Sequence, residues 1–168
     1  MVVRKIAFCG APLAGKTTLL QAIAKLTNSH QIGTIFGQTE NTTRLDVSLD
    51  DYTLMCVTIS GVFYHHQRSG ILTKLLDQAD LIVYICSTVP PKNAEPKYFK
   101  LYAEEAAELQ VAWTDIPWLF VLTNRDLSND NPLQHFIPPQ FHAQILRCSA
   151  PQGSGVTELW QRIVSTIA

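Results

Sequence analysis

Gly10-Ala11-Pro12-Leu13-Ala14-Gly15-Lys16-Thr17 reads G-x-x-x-x-G-K-T, and this stretch decides the fold. The spacing is that of a phosphate-binding loop. Its glycines let successive backbone N–H groups turn inward on a phosphate chain. Lys16 is a compact, flexible charge able to reach the β- and γ-phosphates. The Thr17 hydroxyl is a candidate Mg²⁺ ligand, and the N-terminus of a following helix adds partial positive charge, so the contact set runs from Gly10 to Thr18. The flanks agree with the motif. Lys5-Ile6-Ala7-Phe8-Cys9 is a short apolar run, expected to be a buried parallel strand. Leu19, Ala22, Ile23 and Leu26 recur at helical spacing. Strand, loop and helix follow in the order the motif requires.

The composition bounds what such a loop serves. A chain of 168 residues suits a single domain, expected over 1–168, with a sizeable core. With 13 basic and 14 acidic residues the net charge is −1, which excludes a basic footprint for nucleic acid. Cys9, Cys56, Cys86 and Cys148 form no C-x-x-C pair and fall in strand-like segments, so they read as reduced core thiols of a cytoplasmic protein. The N-terminus lacks the apolar core of a signal peptide, and no stretch is apolar enough to span a bilayer. Residue 2 is Val and the C-terminus has no prenylation cysteine, so no direct membrane anchor is expected.

Strand-like and helix-like segments alternate along the chain. After the first strand and helix, Thr27 to Thr43 is polar and rich in Gly and Thr. Leu45–Leu49 and Thr53–Ile59 alternate with period 2 around Asp50-Asp51-Tyr52, an antiparallel hairpin. Residues 60–70 read as a polar loop, and Ile71 to Gln78 as a helix. Leu81–Cys86 and Trp118–Leu122 are unbroken apolar runs, expected as buried strands. Between them the spacing predicts a helix from Tyr98 to Gln110, with Glu104, Glu105 and Glu108 on a solvated face. Ile145–Cys148 is a short strand, and Val156, Leu159, Trp160, Ile163 and Ile167 mark a last amphipathic helix. The expected class is α/β: three layers around a mostly parallel six-stranded sheet with one antiparallel hairpin strand.

Four downstream stretches narrow the family. Leu122-Thr123-Asn124-Arg125-Asp126 follows a buried strand, and the Asp126 carboxylate could accept two hydrogen bonds from guanine N1–H and its 2-amino group. Adenine offers neither donor and would be refused. Cys148-Ser149-Ala150 ends the last strand. Thr42-Thr43-Arg44-Leu45-Asp46 leads into the hairpin, and Thr58-Ile59-Ser60-Gly61-Val62-Phe63-Tyr64 leaves it.

With the loop at 10–17, these stretches resemble the small Ras-like P-loop GTPases over nearly the whole chain. Thr123–Asp126 resembles their guanine-recognition motif, usually N/T-K-x-D, with Asn124 standing where the family has Lys. Ser149-Ala150 resembles the motif that touches the guanine O6 through backbone N–H. Thr42 stands at the Mg²⁺-ligating switch I threonine, with Thr43 and Thr39 as alternatives, and Gly61 at the switch II glycine. Thr58 in place of Asp, and Leu13 before a small residue and G-K-T-T, resemble the bacterial MglA-type branch. The resemblance implies GTP/GDP and Mg²⁺ as ligands. It also implies an effector and GTPase-activating proteins as partners, a roadblock-domain protein among them.

Hydrolysis in such enzymes is mainly positioning and electrostatics. Lys16 and Gly61 handle the γ-phosphate. The water-orienting Gln of the family is Val62 here, so intrinsic hydrolysis is expected to be weak. Gln67, or His65 or His66, could orient water in its place. Arg44 or Arg68 could supply an internal arginine finger. Two alternatives stand beside the switch: a pseudo-GTPase interaction module, motivated by Thr58, Val62 and Asn124, and a small-molecule kinase, disfavoured by unclustered arginines and by Asp126 and Ser149-Ala150.

Overall fold

The chain closes a seven-stranded sheet around its phosphate-loop strand, in a computed structural model that describes residues 2–29, 32–35, 42–59, 71–90, 98–123 and 145–168. In chain order the elements are β1 (Val2–Gly10), α1 (Lys16–Leu26), β2 (Ile32–Ile35), β3 (Thr42–Ser48), β4 (Tyr52–Ile59), α2 (Ile71–Leu76), β5 (Leu81–Ser87), α3 (Tyr98–Ala112), β6 (Trp118–Thr123), β7 (Ile145–Arg147) and α4 (Val156–Ile167). The sheet order is β2-β3-β4-β1-β5-β6-β7. β4, β1, β5, β6 and β7 run parallel, and β3 is antiparallel to both β2 and β4.

The three-layer α/β class expected from the sequence is the one observed. The sheet carries one strand more than the six expected: β2 lies inside the polar Thr27–Thr43 stretch and pairs Ile32–Ile35 against Leu45–Thr42. A four-residue edge strand shows too few alternations to stand out by periodicity. The hairpin forms as β3 and β4.

The parallel strands are apolar because they are covered on both faces. Every residue of β5 and β6 is buried. β1 becomes fully buried only from Ile6 onward, where β5 joins it. From β1 the chain moves first toward β4 and later across to β5 and β6. Right-handed crossovers therefore put α1 on one face and α2 and α3 on the other. α4 packs beside α1, with Val156, Leu159, Ile163 and Ile167 buried at helical spacing.

One reading of the α3 surface is corrected. Glu104 and Glu108 are exposed, but Glu105 is half-buried and accepts a hydrogen bond from the Tyr84 hydroxyl at 2.9 Å. Tyr84 is a fully buried tyrosine in the middle of β5, and its O–H needs an acceptor there. Glu105 and the Tyr102 carbonyl supply it.

This topology gathers one edge. The C-terminal ends of β1, β4, β5, β6 and β7 and the start of β3 lie together, and the strand order reverses at β1. Open α/β sheets bind ligands at such a reversal.

Candidate functional site

The loop between β1 and α1 forms at that reversal. Gly10 has φ +122°, and a Cβ there would sit 2.1 Å from the Ile85 carbonyl oxygen, so only glycine lets β1 press against β5 at this point. The pairing continues one residue further, with Ala11 N–H donating to Ile85 O at 3.0 Å. Leu13 (φ 58°) and Gly15 (φ 82°) are left-handed, which curls the loop. Gly15 caps α1 and gives no side-chain hydrogen bond, so the first-turn N–H groups receive no side-chain cap. That end of α1 suits an anion.

Lys16 supplies the charge. It is 6% exposed, and its Nζ donates to Gly10 O at 3.0 Å and Ala11 O at 2.7 Å. Among the described residues no carboxylate lies within ion-pair distance of it. Burial lowers its pKa from 10.5 to about 8, against weaker opposing pulls from Cys9, Cys86 and Glu105. A buried ammonium held by two carbonyls and no counter-ion is costly unless an anion joins it. Thr17 exposes its side chain in the first turn of α1. The donor set of Lys16, helix N-terminus and Thr17 fits a phosphate chain with a divalent cation.

The walls come from the other strand ends. Thr123 closes β6, and its hydroxyl lies 2.6 Å from Ala14 O and 3.2 Å from Cys86 O, which ties β6 to the loop after β1. Thr88 completes the row, donating to Thr123 O from both N–H and hydroxyl at 3.0 Å. Cys148 N–H donates to Leu122 O at 2.8 Å. Beyond it Ser149, fully buried, bridges to Ser154 and closes a tight turn that carries Ala150. Gly155 ends the turn at φ 74°, where a Cβ would meet Arg147 O at 2.1 Å. Tyr98, at the start of α3, donates to Pro12 O at 3.2 Å. The sequence reading did not anticipate Tyr98 or Thr88 here, since neither belongs to a spaced motif.

Only some of the residues expected to act as switch residues lie among the described ones. Thr58 is buried in β4 beside Phe8 of β1. Thr42 opens β3 at the ligand edge, its backbone paired with Ile35 and Ile59. Arg44 lies further along β3 in a two-toothed ion pair with Asp46, 2.7 and 2.6 Å, and that pair raises its pKa. To act as an arginine finger it would have to leave this carboxylate. Gly61, Val62, His65, His66, Gln67, Arg68, Asn124, Asp126 and Thr39 lie outside the described residues. The four cysteines are buried thiols outside any disulfide, and burial raises the thiol pKa of Cys9 and Cys86, and that of Cys56 to about 12. No group of His, Cys, Asp and Glu suited to a metal ion occurs among the described residues.

A sequence model described as the 50S ribosome-binding GTPase family matches residues 5–124, well over half of the chain. The chain belongs to this GTPase family. The matched span takes in the loop at 10–17, the hairpin, and Thr123 and Asn124. The G domain of the FeoB iron transporter of T. maritima is similar in structure, with a TM-score of 0.62, 21% identity and 99% of each chain covered. An Era variant of Aquifex aeolicus bound to GDP·AlF4⁻ is similar too, with a TM-score of 0.69 and 20% identity. All of the GTPase chain described here aligns to it, over 58% of the Era chain. At these identities the likeness is one of fold. No curated protein matches the chain. No helix among the described residues is long and apolar enough to cross a membrane.

Proposed function

We propose that this GTPase is a guanine-nucleotide switch that binds GTP and GDP with Mg²⁺ and hydrolyses GTP slowly without a partner. The observation that carries the reading is Lys16, a buried ammonium inside the loop with two carbonyl acceptors and no counter-ion among the described residues. A nucleotide's phosphates complete that charge balance.

Each residue then has a role. Lys16 and the N–H groups of residues 13–18 hold the phosphates and offset charge that grows on them as the γ-phosphoryl leaves. The Thr17 hydroxyl would hold Mg²⁺, with Thr42 joining it in the triphosphate state, and the cation would neutralise phosphate charge. Thr123 braces the loop, and Asp126 with Ser149 and Ala150 selects guanine. Gly61 donates its N–H to the γ-phosphate, and residues 33–48 and 60–70 beside it form the effector surface in the triphosphate state. Val62 offers no polar atom to aim water, and this limits the rate. Gln67 is the candidate replacement within the chain. An activating partner, with a roadblock-domain protein as the first candidate from the MglA-type resemblance, would supply the rest in the cytoplasm.

Single-turnover release of phosphate from bound GTP tests the reading. The expected rate is at least about tenfold below that of a relative with Gln after the switch II glycine, since one water-orienting hydrogen bond is worth roughly 1.4 kcal/mol in the barrier. An equal rate would contradict slow hydrolysis. Tight binding with no turnover, alone or with the partner, would favour the interaction module.

A further inference from the structure

Helix α3 reaches the phosphate loop through one side chain. Tyr98, its first residue, donates its hydroxyl to the Pro12 carbonyl. Nothing in the nucleotide chemistry above uses this contact. The ring is held by packing. It is 7% exposed and sits edge-on to Tyr102, with centroids 4.9 Å apart, and to Phe99, at 5.3 Å. A ring fixed in this way places its hydroxyl without further loss of side-chain freedom. Burial and the neighbouring Cys86 and Tyr102 raise the phenol pKa, so the group stays a donor.

The acceptor is at the crest of the loop. Leu13, next in the chain, is 77% exposed and left-handed at φ 58°, a conformation that costs an L-residue roughly 1–2 kcal/mol. A leucine exposed to this degree does little to hold that shape. The Pro12–Leu13 peptide is trans, so its carbonyl and N–H point to opposite sides. Holding the carbonyl toward α3 turns the Leu13 N–H away from α3.

We infer that Tyr98 is a positioning residue of the phosphate loop: it fixes the Pro12–Leu13 peptide and so presents the Leu13 N–H to the phosphate chain of the nucleotide. The inference rests on the guanine-nucleotide reading above. At 3.2 Å the bond is long for a hydroxyl donor, and the effect is a few-fold one.

The test is dissociation of a fluorescent GDP from the wild type, Tyr98→Phe, Leu13→Asn and the double variant, with thermal unfolding of each nucleotide-free protein. Phe keeps the packed ring and removes only the donor. Dissociation from Tyr98→Phe is expected to be about fivefold faster, with little change in melting. Asn tolerates the left-handed region by itself, so the same change should matter less beside Leu13→Asn. Equal dissociation from the wild type and Tyr98→Phe overturns the inference, whether or not melting falls. So does an undiminished effect in the Leu13→Asn background. If the wild type holds no GDP, the guanine reading fails instead, and hydrogen exchange at the Leu13 amide decides the brace. Faster exchange in Tyr98→Phe supports it, and unchanged exchange overturns it.

Discussion

At the scale of single residues, the two loop glycines separate two costs. A Cβ at Gly10 would meet the backbone of Ile85, with O at 2.1 Å and N at 2.7 Å, on top of a positive φ. Gly15 is also left-handed but has nothing within 4 Å of its Cβ position. Gly10→Ala is therefore expected to lose about 3–5 kcal/mol and to express as unfolded protein, whereas Gly15→Ala folds with a loss of about 1–2 kcal/mol. Urea unfolding of both variants checks the contrast. Lys16 makes a second expectation. Its folded pKa is about 8 against 10.5 unfolded, so between those values the unfolded chain holds a proton the folded one lacks. Stability of the nucleotide-free protein should rise as pH goes from 8 to 10.5 and should carry the full penalty below 8. Bound phosphate charge favours the protonated amine. GDP binding at pH 9 should then take up protons, read as a dependence of the calorimetric enthalpy on the buffer's ionisation heat. Uptake that survives Lys16→Met would contradict this assignment.

At the scale of elements, β6 and α4 carry the site as scaffolding. Thr123→Val removes the hydroxyl that reaches Ala14 O and keeps the shape of the side chain. It is expected to cost about 1–3 kcal/mol and to loosen GDP, while Thr123→Ser keeps most of both; melting and GDP titration of the two variants read this out. Leu159 is fully buried in α4, and Leu159→Ala is expected to cost about 2–5 kcal/mol in chemical unfolding. Most of this architecture was legible in the sequence. The apolar runs of β5 and β6, the alternation of β3 and β4 and the stripe of α4 are strong periodic signals. β2 was not legible, because four residues within a polar stretch repeat too little. Glu105 was misread as solvated because helical spacing shows which face a residue occupies, and not that a buried Tyr84 needs an acceptor.

At the scale of the whole molecule, the topology converts scattered motifs into one edge. Residues 10–18, Thr42, Thr123 and Ser149 belong to four different strands or the loops after them, and the register of the sheet brings them to one edge. The phosphate loop was readable because its function fixes residue type and spacing together. Thr123 was readable as part of a motif, but its 2.6 Å contact with Ala14 was not, since it links β6 to a loop 109 residues away in sequence. The brace from Tyr98 was invisible for the same reason. The central claim is that this edge holds a guanine nucleotide. Calorimetric titration of nucleotide-free protein with GDP, a non-hydrolysable GTP analogue and an ATP analogue, each with and without Mg²⁺, tests it most directly. The account predicts tight, Mg²⁺-dependent binding of both guanine nucleotides and no response to the ATP analogue. Binding of none of them, or preference for ATP, would contradict it.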